Sequence, residues 1–173
     1  MRRTMTAQQR RAAIEALLRQ AGAPISAAAL AERFSVSRQI IVGDIALLRA
    51  GGVLITATPR GYLIGTPGPG LRRTVACVHS AADTGRELML IVDNGGEAVD
   101  VVVEHPIYGE LRGPLCLRTR GDVEEFLRRV EGGSAKLLSA LTDGIHLHTI
   151  ACPDQGTMDR VLSAMGEAGF LLK

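Results

Sequence analysis

The chain has 173 residues, of which 46% are apolar and 22% charged, and its net charge is +2. These are ordinary globular values, so a chain disordered throughout is excluded. No apolar run reaches the roughly 18–20 residues that a bilayer-spanning helix needs. Residues 1–20 are basic and helical in pattern, without the apolar core of a signal peptide, and a cytoplasmic protein is the expectation. Cys77, Cys116 and Cys152 lie far apart with no CxxC pair. That excludes a disulfide framework and an all-cysteine zinc site, and leaves them as small buried side chains. The net charge hides an asymmetry. Residues 1–65 carry nine arginines against three acids, a net of +6, whereas residues 66–173 carry 11 bases against 15 acids, a net of −4. A basic end on an acidic remainder suggests a polyanion-binding module joined to a second unit.

Along the chain, Thr6-Ala7-Gln8-Gln9 has the spacing of a capping box and opens a helix with Ile14, Leu17, Leu18 and Ala21 on one face. Gly22 and Pro24 stop it. Ser26 caps a second, short helix with Ala27, Leu30, Ala31 and Phe34 as its stripe, and Ser35-Val36 makes a tight turn. Ser37 caps a third helix through Arg49, with Ile41, Ile45 and Leu48 inward and Gly51-Gly52 at its end. Val53–Thr56 and Tyr62–Ile64 are β-rich runs around a hairpin tip at Pro59–Gly61. This is the order of a winged helix-turn-helix. Its third helix fills a major groove with Ser37, Arg38 and Gln39 at the end that meets base edges. Arg suits guanine and Gln suits adenine, while Arg60 at the wing tip reaches a phosphate or the minor groove. A three-helix protein-interaction module has the same shape. The +6 charge and the Ser-Arg-Gln placement favour DNA.

The segment from Phe34 to Arg49 resembles the helix-turn-helix of bacterial biotin-responsive repressors and other ligand-sensing regulators, whose wing often ends in the Gly-Tyr found here as Gly61-Tyr62. Gly43 departs from it, since relatives usually carry Arg or Gln there. A glycine inside a helix costs about 1 kcal/mol relative to alanine, and one expected DNA contact is missing.

Gly65-Thr66-Pro67-Gly68-Pro69-Gly70 can continue neither a helix nor a central strand and marks the join. The division is therefore 1–65, a linker over 66–71, and 72–173. The second part reads as strand (73–79), helix (Leu88, Ile91 and Val92), strand (99–105), strand (110–119), helix (Val123, Phe126, Leu127 and Val130), strand (145–151) and helix (Met158, Val161, Leu162 and Met165). Phe170-Leu171-Leu172 closes the chain as an edge strand. That order predicts an α+β sandwich of ferredoxin-like kind, with helices on one face.

All four histidines lie here, and no nucleophile elbow, phosphate loop or dinucleotide fingerprint is present. Residues i and i+2 of a strand share a face, so His146 and His148 project side by side while Ile145, Leu147 and Thr149 face away. Paired neutral imidazoles suit a transition metal. His79 at a strand end can add a nitrogen and Glu87 an oxygen. The bland alternatives are two sheet histidines with hydrogen-bond partners, a strand-end histidine bonded to backbone, and a Glu87 that closes a capping box with Thr84.

The segments Leu141–Ile150 (LTDGIHLHTI) and Val103–Gly109 (VEHPIYG) resemble the signature segments of the three-histidine (3H) domain. In the nicotinate-responsive repressors of bacterial NAD biosynthesis and niacin uptake, that domain follows a helix-turn-helix. The resemblance covers nearly the whole chain in the right order. It implies a homodimer, operator DNA, nicotinic acid as co-repressor and a divalent transition metal (Zn, Ni, Co, Fe or Mn). The matching ligand set is His79, Glu87, His146 and His148. His105, Tyr108 and Arg120 are polar groups expected to line the effector pocket, with Arg120 suited to a carboxylate. Two other functions fit the pattern less fully. One is a repressor that senses the metal itself. The other is a metal-dependent hydrolase with Glu104 or Glu110 as base, which no paired-acid arrangement supports.

Overall fold

A computed structural model describes residues 5–64 and 70–172. The chain divides into two compact units, with the boundary between Pro67 and Gly68. Most of the Gly/Pro linker expected over 66–71 lies outside the described residues.

The first unit holds helices α1 (Ala7–Gln20), α2 (Ala27–Phe34) and α3 (Arg38–Ala50) and an antiparallel hairpin of β1 (Ile55–Thr58) and β2 (Gly61–Ile64). Each helix starts where a side chain satisfies an orphan N–H. Thr6 and Gln9 form the reciprocal capping box, the Ser26 hydroxyl accepts from Ala29 N–H, and the Ser37 hydroxyl accepts from Ile40 N–H. The turn between α2 and α3 is made by Ser35 in the left-handed region (φ +53°). Ile14, Leu18, Leu30, Ile41, Ile45 and Ile55 form the core. Buried Asp44 on α3 takes both Arg10 (2.6 Å) and Arg11 (3.6 Å), so α1 is clamped to α3 by charge as well as by packing. The hairpin turns on Pro59-Arg60, with Thr58 opposite Gly61. Gly61 is obligatory: its φ is +136°, and a Cβ there would lie 2.3 Å from the Ile25 carbonyl oxygen.

The second unit holds β3 (Leu71–Val78), α4 (Thr84–Asp93), β4 (Glu97–His105), β5 (Gly109–Leu117), α5 (Arg120–Gly132), β6 (Ile145–Cys152) and α6 (Gln155–Glu167). The sheet runs β3-β6-β4-β5 with every neighbouring pair antiparallel. Helix residues Leu88, Ile91, Val123, Met158, Val161 and Met165 pack with Cys77, Leu115, Leu117, Ile150 and Cys152 from the strands in one core. The element order and layers are those expected, but the spatial order corrects the ferredoxin-like expectation. In that fold the third strand of the domain is inserted between the first two. Here the fourth, β6, takes that place and β5 goes to the edge. Pro114 supplies a reason: it sits within β5 and has no N–H to donate, and proline within a sheet is confined to edges and bulges. The Phe170–Leu172 segment makes a single bridge, Leu171 to Cys77, rather than a full strand. Its backbone still covers the outer side of β3, through Val78 N–H to Phe170 O and Leu172 N–H to Ala76 O.

Candidate metal centre and DNA-binding element

His146 and His148 are inward residues of β6, whose burial alternates along its length. Cys77 on β3 is the register partner of His146, and His79 follows directly after β3. Helix α4 brings Glu87 onto the same face. The three imidazoles converge on one carboxylate oxygen. Glu87 Oε2 lies 2.6 Å from His79 Nε2, 3.3 Å from His146 Nε2 and 3.2 Å from His148 Nε2. None of the four side chains is more than 4% exposed.

The opposite nitrogens of the rings are equally committed. His79 Nδ1 faces Ser80 O at 2.8 Å, His146 Nδ1 faces Gly144 O at 2.9 Å and His148 Nδ1 faces Asp100 O at 2.6 Å. A carbonyl accepts only, so these contacts assign the ring proton to Nδ1. In the neutral rings each Nε2 is then a lone pair aimed at a carboxylate, which is also an acceptor. Four acceptors facing one point are compatible if the rings are protonated or if a cation binds between them. Imidazoles oriented from behind by carbonyls are the usual support of a metal site. Burial pushes Glu87 upward, but the contacts to His146, His148 and His79 outweigh it and hold its carboxyl far below the ordinary range. Burial alone lowers His79, yet Glu87 and the Ser80 carbonyl leave it above its ordinary value. The second carboxylate oxygen, Glu87 Oε1, is buried without a hydrogen-bond partner among the described residues. The donor set and this orphan oxygen fit a divalent transition metal held by three nitrogens and a carboxylate.

Glu87 therefore does not close a capping box on Thr84: Asp83 precedes α4 without a side-chain cap bond, and the Thr84 hydroxyl is buried with no partner among the described residues. Three participants carry little signal in the sequence. The Cys77 sulfur lies within 4.8 Å of ligand atoms of Glu87 and His146, and burial followed by the Glu87 charge pushes its thiol up. Its pairing with His146 follows from strand register, which spacing alone does not give. Asp100 sits at a bulge in β4, where its carboxylate accepts from Thr149 N–H at 3.0 Å and pairs with Arg112 while its carbonyl holds His148. Gly144 carries φ +90° and presents its carbonyl to His146; a Cβ there would lie 2.2 Å from His79 O.

The residues expected at the effector, His105, Tyr108 and Arg120, are not among those that line the cavity beside the histidines. Arg120 opens α5 and makes a two-pronged ion pair with Asp93 at 2.6 Å. His105 accepts from Ile107 and Tyr108 N–H in the β4–β5 turn and lies against the exposed Tyr108 ring at 5.0 Å. That small cavity holds about 30 Å³ and is walled by Val101, Leu115, Phe126, Leu137 and Leu138.

In the first unit, Ser37, Arg38 and Gln39 stand exposed at the N-terminal end of α3, and Arg60 occupies the hairpin turn. Thr58 holds that turn: its hydroxyl donates to Gly61 O at 2.9 Å and accepts from Arg60 N–H at 3.2 Å. Gly43 is exposed on α3, and a Cβ added there would meet nothing within 4 Å.

Comparison with known proteins agrees with both units. Residues 10–63 match the HTH domain and residues 72–173 match the 3H domain. The chain is 43% identical over 166 residues to the probable transcription repressor NiaR of Thermotoga maritima, covering 96% of this chain and 95% of that protein. It is 41% identical over 160 residues to the transcription repressor NadR of Bacillus subtilis, covering 90% and 89%. An N-terminal helix-turn-helix unit followed by a three-histidine centre in an antiparallel sheet, with relatives that match along almost their whole length, places the chain in the 3H-domain family of helix-turn-helix transcription repressors.

Proposed function

We propose that the protein represses genes of NAD biosynthesis or niacin uptake, binding operator DNA as a homodimer with nicotinic acid as co-repressor. Residues 1–65 are the DNA-binding domain, with β1–β2 as its wing. Residues 66–71 are the linker, and 72–173 form the effector- and metal-binding domain. One observation carries the reading: three imidazole nitrogens and one carboxylate converge in a buried centre attached to a DNA-binding unit. His79, Glu87, His146 and His148 would hold a divalent transition metal. Once bound, the metal supplies a Lewis-acidic centre with positions left for a donor atom of the effector.

The rest falls to the chain itself. Ser37, Arg38 and Gln39 present donors and acceptors to base edges, and Arg60 adds a phosphate contact from the wing. The effector acts by favouring one arrangement of the two DNA heads of the dimer, and it does so only if it binds that arrangement more tightly. His105, Tyr108 and Arg120 lie outside the lining of the cavity beside the histidines, which favours effector recognition nearer the histidines. The protein works in the cytoplasm, where operator DNA is. The alternative of a metal-sensing repressor shares every ligand, and the same experiment separates the two.

The test is operator binding at fixed salt with and without nicotinic acid, with nicotinamide and a chelator as controls. The probe is duplex DNA from upstream of an NAD-biosynthesis or niacin-transport gene. Tighter binding with nicotinic acid, lost on chelation and in His146→Ala, is expected. Binding that follows metal and ignores nicotinic acid would identify the metal sensor. Absence of binding in every arm would refute the repressor reading for that DNA.

A further inference from the structure

We infer that the cavity beside the histidines is the effector pocket and that Thr84 is its specificity-determining residue, donating its hydroxyl to the ring nitrogen of an aromatic carboxylate. This rests on the nicotinate-responsive reading above and adds where the ligand sits and which atom selects it.

Among the described residues of this domain, two buried side-chain oxygens lack partners, Thr84 Oγ1 and Glu87 Oε1, and both residues line the same cavity. They stand three residues apart on α4, so they share a helix face. Glu87 Oε1 is explained by the metal centre. Thr84 Oγ1 is not: it caps nothing, and Thr84 is only 9% exposed. A buried hydroxyl without a partner lowers stability, and a valine of the same shape would remove that cost. Its position is accounted for if a ligand completes it.

The walls narrow the ligand class. Val101, Leu115, Phe126, Leu137 and Leu138 offer apolar surface suited to a flat ring. Among the described residues no Arg or Lys lines the cavity, so a ligand's carboxylate is served only at the histidine end, where a cation fits. The donor at the other polar point is the Thr84 hydroxyl, which suits an acceptor nitrogen in the ring. The free volume of about 30 Å³ admits a water and not a ring. Leu137 and Leu138, at the start of the short 3-10 turn Leu138–Thr142, must therefore give way. That turn is bonded to the metal centre: Ser139 O accepts from Gly144 N–H, and Gly144 O holds His146.

The experiment is calorimetric titration of the metal-loaded full chain with nicotinate and with benzoate, which has the same outline and charge but no ring nitrogen. The wild-type protein and Thr84→Val are compared, with thermal unfolding and metal stoichiometry measured on each. In the wild type, nicotinate is expected to bind tenfold or more tighter than benzoate. Thr84→Val brings nicotinate down to the benzoate level, leaves benzoate and metal binding unchanged, and does not lower the unfolding temperature of the ligand-free protein. A Thr84→Val that keeps the full preference for nicotinate overturns the inference, with an ordered water then left as the hydroxyl's partner. Leu138→Trp is the second variant. It fills the cavity and is expected to bind metal but neither ring, and normal nicotinate binding by it would place the pocket elsewhere. If the wild type binds no nicotinate at all, the failure lies with the proposed function itself.

Discussion

At Gly144 an added Cβ would lie 2.2 Å from the His79 carbonyl oxygen and 3.1 Å from its carbon, on a backbone with φ +90°. The close approach lets one turn touch two ligands, because His79 N–H reaches the Gly144 carbonyl at 3.4 Å and His146 Nδ1 donates to it at 2.9 Å. Replacing Gly144 by alanine forces the His79 end of β3 away from β6. The expected result is a loss of about 2 kcal/mol of stability from the unsuitable backbone alone. Metal affinity falls by at least about tenfold, as for other supports of metal ligands. Urea unfolding of the metal-free chain and competition against a chromophoric chelator measure the two separately.

The charges of the same centre set a pH dependence. Glu87 is held low and His79 high. In the metal-free chain the Glu87 contribution to stability is present above its unfolded value near 4.5 and lost as pH falls through its depressed folded value. The His79 contribution is full below its unfolded value near 6.5 and lost as pH rises through its raised folded value. Metal binding needs neutral imidazoles and so runs the other way. Affinity should decline as pH falls, beginning above the ordinary histidine range because His79 holds its proton longer. Chelator competition from pH 8.5 to 5.5 (from about two units above to about one unit below the ordinary histidine value) tests this, and an affinity flat across it would refute the claim.

Among the elements, helix starts were legible in the sequence because a cap and a stripe both sit within a few residues. Thr6, Ser26 and Ser37 all cap as hydroxyls should, whereas Thr119, expected at the end of a strand, caps α5. The HxH pair was legible for the same reason, since strand periodicity fixes one face. What depended on distant pairing was not. Cys77 meets His146 through the register of two strands far apart in the chain, and Asp100 reaches His148 across 48 positions of sequence. The choice between a capping-box Glu87 and a ligand Glu87 also needed the third dimension. Within α3 one departure can be tested directly. Gly43 is exposed, mid-helix and unobstructed. Gly43→Arg should stabilise the helix by about 1 kcal/mol from propensity and tighten operator binding. Thermal unfolding and a binding titration read the two effects, and a stabilised variant with unchanged DNA affinity would show that this helix face stays away from the groove.

For the whole molecule, the uneven charge is a statement about partners. The first 65 residues carry a net +6 while the rest carries −4, yet part of the basic set is engaged inside the fold. Arg10 and Arg11 meet Asp44, and Arg19 meets Glu15 at 2.6 Å. Three arginines there meet two acids, so most of that charge is offset locally, and the larger part of the excess that DNA can feel comes from arginines such as Arg38 and Arg49, with Arg60 placed at the hairpin turn. Each phosphate contact releases condensed counterions and adds about −0.9 to the slope of log affinity against log salt. Arg60→Ala should therefore flatten that slope by about one while weakening all DNA sequences alike, the mark of a backbone contact. Gln39→Ala should leave the slope nearly unchanged and relax the preference at one or two base pairs instead. Titrations at four salt concentrations, on an operator and on a scrambled duplex, separate these outcomes. A changed slope in Gln39→Ala, with an unchanged one in Arg60→Ala, would exchange the roles of helix and hairpin and require a different docking of the domain on DNA.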